Sequence, residues 1–411
     1  MSYPVVVGVR FDFSSGPVFG IGFTIGDPDY GVLGVNVLAE TSADVVDISS
    51  QVAKISIRRG YDLLQDQFQT GTATVRVYDS NGDWNPQNPA SPYYGKLVPL
   101  RKIRVLGDGL SVFTGYTIAY NYTYPKDQDI GFVDIECSDA FRLFNMANVT
   151  TVTGSSAGQT TGARIDDILD TVSWPISMRN VNVGDSKVQA DPGTARTALS
   201  ALKNVEFSEQ GAFYISPSGN AVFYERSFII AKSGQNPTTF ANDGSAIGFA
   251  NIVFAFDDKL IINQASITPT SGTAQTANNA DSITKYFPHS INYTDLVVET
   301  NAEALNIART FVATRAETTI RIDSITLDLN TPNYTAGITA ALNLDFFDTM
   351  DITDVAQDGT IIQKTLQCMG IQHEITPNSF KTTFVTSEPI VAGFLIGSSL
   401  YGIIGTSVMT Y

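Results

Sequence analysis

Residues Thr72 to Leu106 read TATVRVYDSNGDWNPQNPASPYYGKLVPLRKIRVL. Thr72 to Tyr78 alternate polar and apolar side chains, and Lys102 to Leu106 do the same at the far end. Alternation with period two marks strands that bury one face. Asn81-Gly82 is a strong hairpin signal, yet the chain does not return at once. It runs through Pro86, Pro89 and Pro92 and ends on Tyr93-Tyr94-Gly95. A connection of this length is uncommon in a compact domain and is usually functional or disordered.

Outward from this stretch the chain reads mainly as β. Ile55 to Arg58, Ser111 to Tyr120 and Gly131 to Ser138 complete a first antiparallel barrel or sandwich over 45–148, closed by a helical turn from Asp139 to Leu143. The Ser/Thr/Gly run Thr150 to Gly162 then opens a small mixed α/β insert over 149–250. There Ile165, Ile168, Leu169 and Val172 share one helical face, and Ala195, Ala198, Leu199 and Leu202 share another. Ala212 to Arg226 reads as a hairpin around Ser218-Gly219. A second β-unit spans 251–389, with strands at Thr319 to Leu329, Asp348 to Asp354, Ile361 to Ile371 and Lys381 to Val385. Its one clear helix begins with the capping box of Thr300 and Glu303 and carries Ala304, Leu305, Ala308, Phe311 and Val312 as an apolar stripe. The expected architecture is two tube-like antiparallel β-barrel or sandwich domains, an α+β insert and short terminal arms.

The arms, 1–44 and 390–411, carry an internal repeat. FTIGDPDYGVLGVNVL (Phe23 to Leu38) aligns without gaps to FLIGSSLYGIIGTSVM (Phe394 to Met409). Identical residues meet where Phe23 aligns with Phe394, Ile25 with Ile396, Gly26 with Gly397 and Tyr30 with Tyr401. The same holds for Gly31 with Gly402, Gly34 with Gly405 and Val37 with Val408. Glycines at fixed places fix a backbone path, so these residues are expected to be two contact arms of one shape. The alternative is a pair of similar hairpins within one sheet. Ile390 to Tyr411 has no charged side chain and is long enough to span a bilayer. Its glycines and hydroxyl residues, and Asp27 and Asp29 in the other copy, argue against a membrane anchor.

Composition narrows the function. Of the 411 residues 43% are hydrophobic and 16% charged, against a usual quarter charged. A surface so poor in charge suggests burial against other subunits. The net charge is −16, from 25 basic and 41 acidic residues, so stable nucleic-acid binding is not expected. The first residues lack the basic and apolar regions of a signal peptide, which implies synthesis in a cytoplasm. Cys137 and Cys368 are read as buried thiols.

Candidate chemistry is thin. Gly154-Ser155-Ser156-Ala157-Gly158 matches the spacing of a nucleophile elbow but lies in a Ser/Thr/Gly linker, with His289 and His373 the only available bases. Asp79, Asn81, Asp83 and Asn85 resemble half a calcium loop, but Trp84 and Ala90 stand where glycine and glutamate belong. Asp345, Asp348, Asp351 and Asp354 recur every third residue in strand-like sequence, which reads as a solvated edge. No catalytic residue, metal site or cofactor is expected.

The run Ile57 to Val105 resembles the opening barrel of minor tail proteins of long-tailed bacteriophages, the hub-like proteins of the tail tip. Arg58-Arg59-Gly60, Phe68, Gly71 to Val75, Asp79 to Pro86 and Ser91 to Tyr94 match that family's pattern. Leu100 stands where a glycine is usual, and Trp84 where an arginine is. Phe113-Thr114-Gly115, Asp139-Ala140 and Gly370 to Pro377 continue the match, whereas the insert matches loosely. The resemblance implies a virion protein assembled in the host bacterial cytoplasm. It would be a homotrimer presenting six barrels to the tail tube, with a distal tail or tail-tube protein and tip or fibre proteins as partners. On that plan the proline-rich loop, with Trp84, Pro86, Tyr93 and Tyr94, reaches over a neighbouring barrel. A tail protein that binds host-surface glycan through the insert is the alternative.

Overall fold

The computed structural model describes residues 2–3, 5–13, 44–62, 67–126 and 130–389. Both copies of the repeat lie outside them. The expected contact residues Phe23, Ile25, Gly26, Tyr30, Gly31 and Gly34 of the first arm therefore fall beyond the described structure. So do Phe394, Ile396, Gly397, Tyr401, Gly402 and Gly405 of the second.

The chain is mainly β, built on a 14-stranded sheet. Its path runs from Val5–Asp12 through Lys102–Gly107, Leu110–Thr123, Gly131–Ser138 and Gln67–Asp79 to Val52–Asp62. From there it passes directly into the second unit, through Ile361–Thr376, Ser379–Ser387 and Arg321–Asp328 to Asn251–Ala255. Every pair along this path is antiparallel. The two expected β-units are therefore joined edge to edge, and among the described residues no pairing closes either into a complete barrel.

Alternation explains the layers. In Gln67–Asp79 the side chains of Phe68, Ala73, Val75 and Val77 are buried, while Thr72, Arg76 and Tyr78 face out. Val52–Asp62 pairs with this strand on one side and with Ile361–Thr376 on the other. At the seam Gly60 faces Gly370, Arg59 faces Ile371 and His373 faces Ile57. A Cβ on Gly60 would stand 2.7 Å from the Gly370 Cα, so backbones approach here as only glycine allows.

The insert contains the two expected helices, Thr161–Thr171 and Ala198–Glu209, and the expected hairpin, Ala212–Ile215 with Ala221–Tyr224. Ala195 falls before its helix. Phe141, Phe144, Phe213 and the main-sheet side chains belong to one continuous apolar core. A smaller core lies between Asn301–Arg315 and a three-stranded sheet of Gln275–Asn278, Gln264–Pro269 and Ser290–Leu296. The capping box of Thr300 and Glu303 is present, and the buried stripe is Ala304, Ile307, Ala308, Phe311 and Val312, with Leu305 only partly buried.

Candidate interaction surface

The proline-rich connection is a ladder of turns. The amides of Asn85, Asn88, Ser91 and Tyr94 donate to the carbonyls of Gly82, Asn85, Asn88 and Ser91, at 3.0–3.2 Å. Side-chain oxygens reinforce the same steps: Asn85 accepts from Gln87 N, Asn88 from Ala90 N and Ser91 from Tyr93 N, each at 3.0 Å. The sequence behind this is a three-residue repeat, Asn85-Pro86-Gln87, Asn88-Pro89-Ala90, Ser91-Pro92-Tyr93. Asn or Ser opens each turn and proline presets φ at the next position. This repeat was the signal that would have given the loop its structure.

The ladder turns its two largest aromatics inward. Trp84 is fully buried and its Nε1 donates to Gln51 Oε1 at 2.8 Å. Tyr93 is buried, with its ring 5.0 Å from Trp84 and stacked 4.7 Å from Phe13. Trp84 and Tyr93 are thus core residues of their own chain, which corrects their reading as contact residues: burial of large aromatic area outweighs exposure. Tyr94 is 54% exposed and Pro86 is half-buried, so the ladder offers these two outward.

The ladder also holds the base of the N-terminal arm. Val5–Asp12 pairs with Val45–Asp47, and Phe13 N donates to Asp44 O at 2.9 Å, so residues 13 and 44 are tied where 14–43 depart. Phe13 rests on Tyr93, and Lys96 pairs with Asp44. Leu100, standing where the resembled pattern has glycine, keeps a left-handed backbone, φ 64°.

Sequence reading missed a second surface. Phe287 is 79% exposed with φ 66°, and Phe256 is 70% exposed. Their loops are tied together by Asn263 Nδ2 donating to Phe287 O at 2.8 Å and by His289 Nε2 against Asp258 Oδ2 at 3.4 Å. A bulky residue at positive φ is strained, and such strain persists only where its surroundings impose it. Nothing local in the sequence announces either ring.

The candidate chemical sites are all occupied structurally. Ser155 Oγ donates to Val152 O, and the buried Arg164 donates to Ser156 O at 3.1 Å and Gln189 O at 2.8 Å. The segment is a clasped loop, not a strand-to-helix elbow. Asp79 accepts from Trp84 N at 3.1 Å and Tyr124 Oη at 2.7 Å. The aspartate series is not the solvated edge it resembled. Asp345 meets Arg59, Asp348 meets Lys232, Asp351 accepts from Thr365 and Asp354 from Asn242, and Asp354 is buried. Cys137 and Cys368 are free, buried thiols whose ionisation burial opposes. Among the described residues no group of His, Cys, Asp and Glu is arranged to hold a metal.

This joined antiparallel sheet, with an insert folded against it, is similar in fold to solved phage and prophage tail proteins. The tail protein from Neisseria meningitidis MC58 matches with a TM-score of 0.58, over 94% of this chain and 97% of that one, at 12% identity. The 43 kDa tail protein of prophage MuSo2 from Shewanella oneidensis matches with a TM-score of 0.57, over 84% of this chain and 96% of that one, at 11% identity. Prophage tail protein gp18 from Listeria monocytogenes EGD-e reaches a TM-score of 0.50, over 85% and 92% of the two chains, at 8% identity. No family model and no curated protein matches the sequence. The likeness is one of fold.

Proposed function

We propose that this chain is a structural, non-catalytic protein of a phage tail tip. It assembles as a homotrimeric hub that joins the end of the tail tube to tip or fibre proteins around a lumen for DNA. The observation that carries this reading is the match of fold along nearly whole chains, 94% of this one and 97% of the Neisseria tail protein. Two β-units fused in one sheet are suited to presenting paired, tube-like faces to a six-fold tube. A net charge of −16 suits a bore through which DNA slides without adhering.

On this reading 45–148, completed by the strand Val5–Asp12, and 251–389 are the tube-facing units, 149–250 stands between them, and 14–43 and 390–411 are arms that grip neighbours. The arm residues Phe23, Ile25, Tyr30, Phe394, Ile396 and Tyr401 supply the apolar contacts. Gly26, Gly31 and Gly34 set the backbone path of the first arm, as Gly397, Gly402 and Gly405 set that of the second. Tyr94 and Pro86 on the ladder, and Phe256 and Phe287 on the opposite unit, add exposed contact area. Mass measurement of the purified protein with its tail-tube neighbour is the test. Three copies per complex are expected; a persistent one-to-one complex overturns the trimer. The chain alone is expected to close into its ring only on that partner.

A further inference from the structure

Four exposed acidic or amide side chains stand directly before a glycine, in Asn81-Gly82, Asp108-Gly109, Asp243-Gly244 and Asp358-Gly359. Asn81-Gly82 is the sole Asn-Gly pair in the sequence. A glycine has no Cβ to shield its amide nitrogen, which can attack the preceding side-chain carbonyl when that carbonyl is free to turn toward it. Hydrogen bonds remove this freedom at three of the four pairs. Asp108 Oδ1 accepts from Val6 N at 2.7 Å. Asp243 Oδ1 accepts from Ser245 N at 2.9 Å and from Ser245 Oγ at 2.6 Å. Asp358 Oδ1 accepts from Thr360 N at 2.9 Å, and Gly359 N itself donates to Ala356 O at 2.9 Å. Asn81 differs. Among the described residues neither its side chain nor Gly82 N has a hydrogen-bond partner. A Cβ on Gly82 would meet only Asn88 Nδ2, at 3.4 Å, so the glycine is open on that side.

We infer that Asn81 is a site of spontaneous covalent modification, where the chain deamidates through attack by its own Gly82 amide. Gly82 N gives its proton to a solvent base and forms a bond to Asn81 Cγ. The Cγ–Nδ2 bond breaks, and the nitrogen takes a proton from water and leaves as ammonia. Water then opens the cyclic imide. Opening at one carbonyl leaves an ordinary aspartyl residue. Opening at the other leaves an isoaspartyl link, with the main chain running through the former side chain. The position gives this change structural reach. Gly82 O accepts from Asn85 N at 3.2 Å and from Asn88 Nδ2 at 2.9 Å, the first rung of the ladder. An isoaspartyl link lengthens the main chain just ahead of that rung. Either product also adds a negative charge between Asp79 and Asp83 in sequence. The inference concerns the chain alone and stands apart from the tail-tip reading.

The test ages the folded full chain in warm, mildly alkaline buffer and, in parallel, the same chain unfolded in guanidinium. Peptide mapping by mass spectrometry follows amide-to-acid conversion at each asparagine. A protein-isoaspartate methyltransferase with S-adenosylmethionine labels the isoaspartyl product. In the folded chain Asn81 is expected to convert several-fold faster than Asn378, which precedes a serine, and at a rate close to its unfolded one. Asp108, Asp243 and Asp358 are expected to isomerise many-fold more slowly in the folded chain than in the unfolded one. Asn81→Ser, which can form no imide, should remove the methyl label from the aged folded chain. Conversion of Asn81 only in the unfolded chain, conversion no faster than at Asn378, or a label that survives Asn81→Ser overturns the inference. Mass measurement of the tail complex uses fresh protein and is unaffected by these results, so failure here is distinguishable from failure of the trimer.

Discussion

Arg59 reaches Asp345 across the seam between the two β-units, Nη2 to Oδ1 at 3.3 Å, and also donates to Ile215 O of the insert at 3.0 Å. Its guanidinium lies 4.7 Å from the centre of the Phe346 ring, and the side chain is 5% exposed. One buried cation thus touches the first unit, the insert and the second unit. Removing it leaves Asp345 and a carbonyl without their donor. Arg59→Ala is expected to lower stability by roughly 3 kcal/mol in denaturant titration. Arg59→Lys should recover only part of this, because a lysine has no planar fork. An Arg59→Ala chain as stable as the parent would refute the role.

Trp84 and Tyr94 sit ten residues apart on one ladder and are expected to behave oppositely. Trp84→Ala opens a core cavity and removes the donor to Gln51 Oε1, for a loss of about 3–5 kcal/mol. Tyr94→Ala should change stability by no more than about 0.5 kcal/mol, yet weaken association with a tail neighbour. Thermal unfolding separates the first effect, and a pull-down with the neighbour reads the second.

Leu100 holds a conformation that disfavours side chains branched at Cβ. A left-handed residue is strained by roughly 1–2 kcal/mol. Leu100→Gly relieves that strain and offsets the lost packing, so its stability should lie within about 1 kcal/mol of the parent. Leu100→Ile should be clearly worse than either. The reverse order would show that packing, not backbone strain, governs this turn.

His373 is buried beside Phe380, its Nδ1 3.0 Å from Thr382 Oγ1. Burial, helped by the charge of Arg59, pushes its pKa down to about 3. In the unfolded chain the imidazole returns to an ordinary value near 6.5. Below that pH the unfolded state binds a proton that the folded state refuses, so acid weakens the fold. The effect begins as pH falls through about 6.5 and continues to about 3, with a slope of up to about 1.4 kcal/mol per pH unit. His373→Gln removes a titrating group, and its stability profile between pH 4 and 6 should be flatter by up to one proton. Parallel profiles would contradict this.

How much of this was legible depended on how local the cause is. The cap of Thr300 and Glu303, the hairpin at Ser218-Gly219 and the first-unit strands each follow from neighbours in sequence, and each is present. The seam is different: Arg59 meets Ile371 and Gly60 meets Gly370 through pairing between distant parts of the chain. No periodicity in either strand specifies that register. Trp84 was read outward because a proline-rich connection suggests a surface loop. The repeat of Asn or Ser before each proline, which organises the ladder, was in plain view. Phe287 could not be found at all, since its exposure and positive φ come from tertiary ties to Asn263. The two copies of the repeat, with the glycine spacing of Gly26, Gly31 and Gly34 recurring at Gly397, Gly402 and Gly405, lie outside the described residues, whereas Val5–Asp12, expected within the first arm, is a strand of the main sheet.

Electron cryo-microscopy of the assembled particle tests the central claim most directly. Density for this fold should appear at the distal end of the tail, in three copies around an open channel, with its joined sheets against the last ring of the tail tube. Absence of this fold from the tail, or its presence as single copies away from the tube axis, would contradict the account.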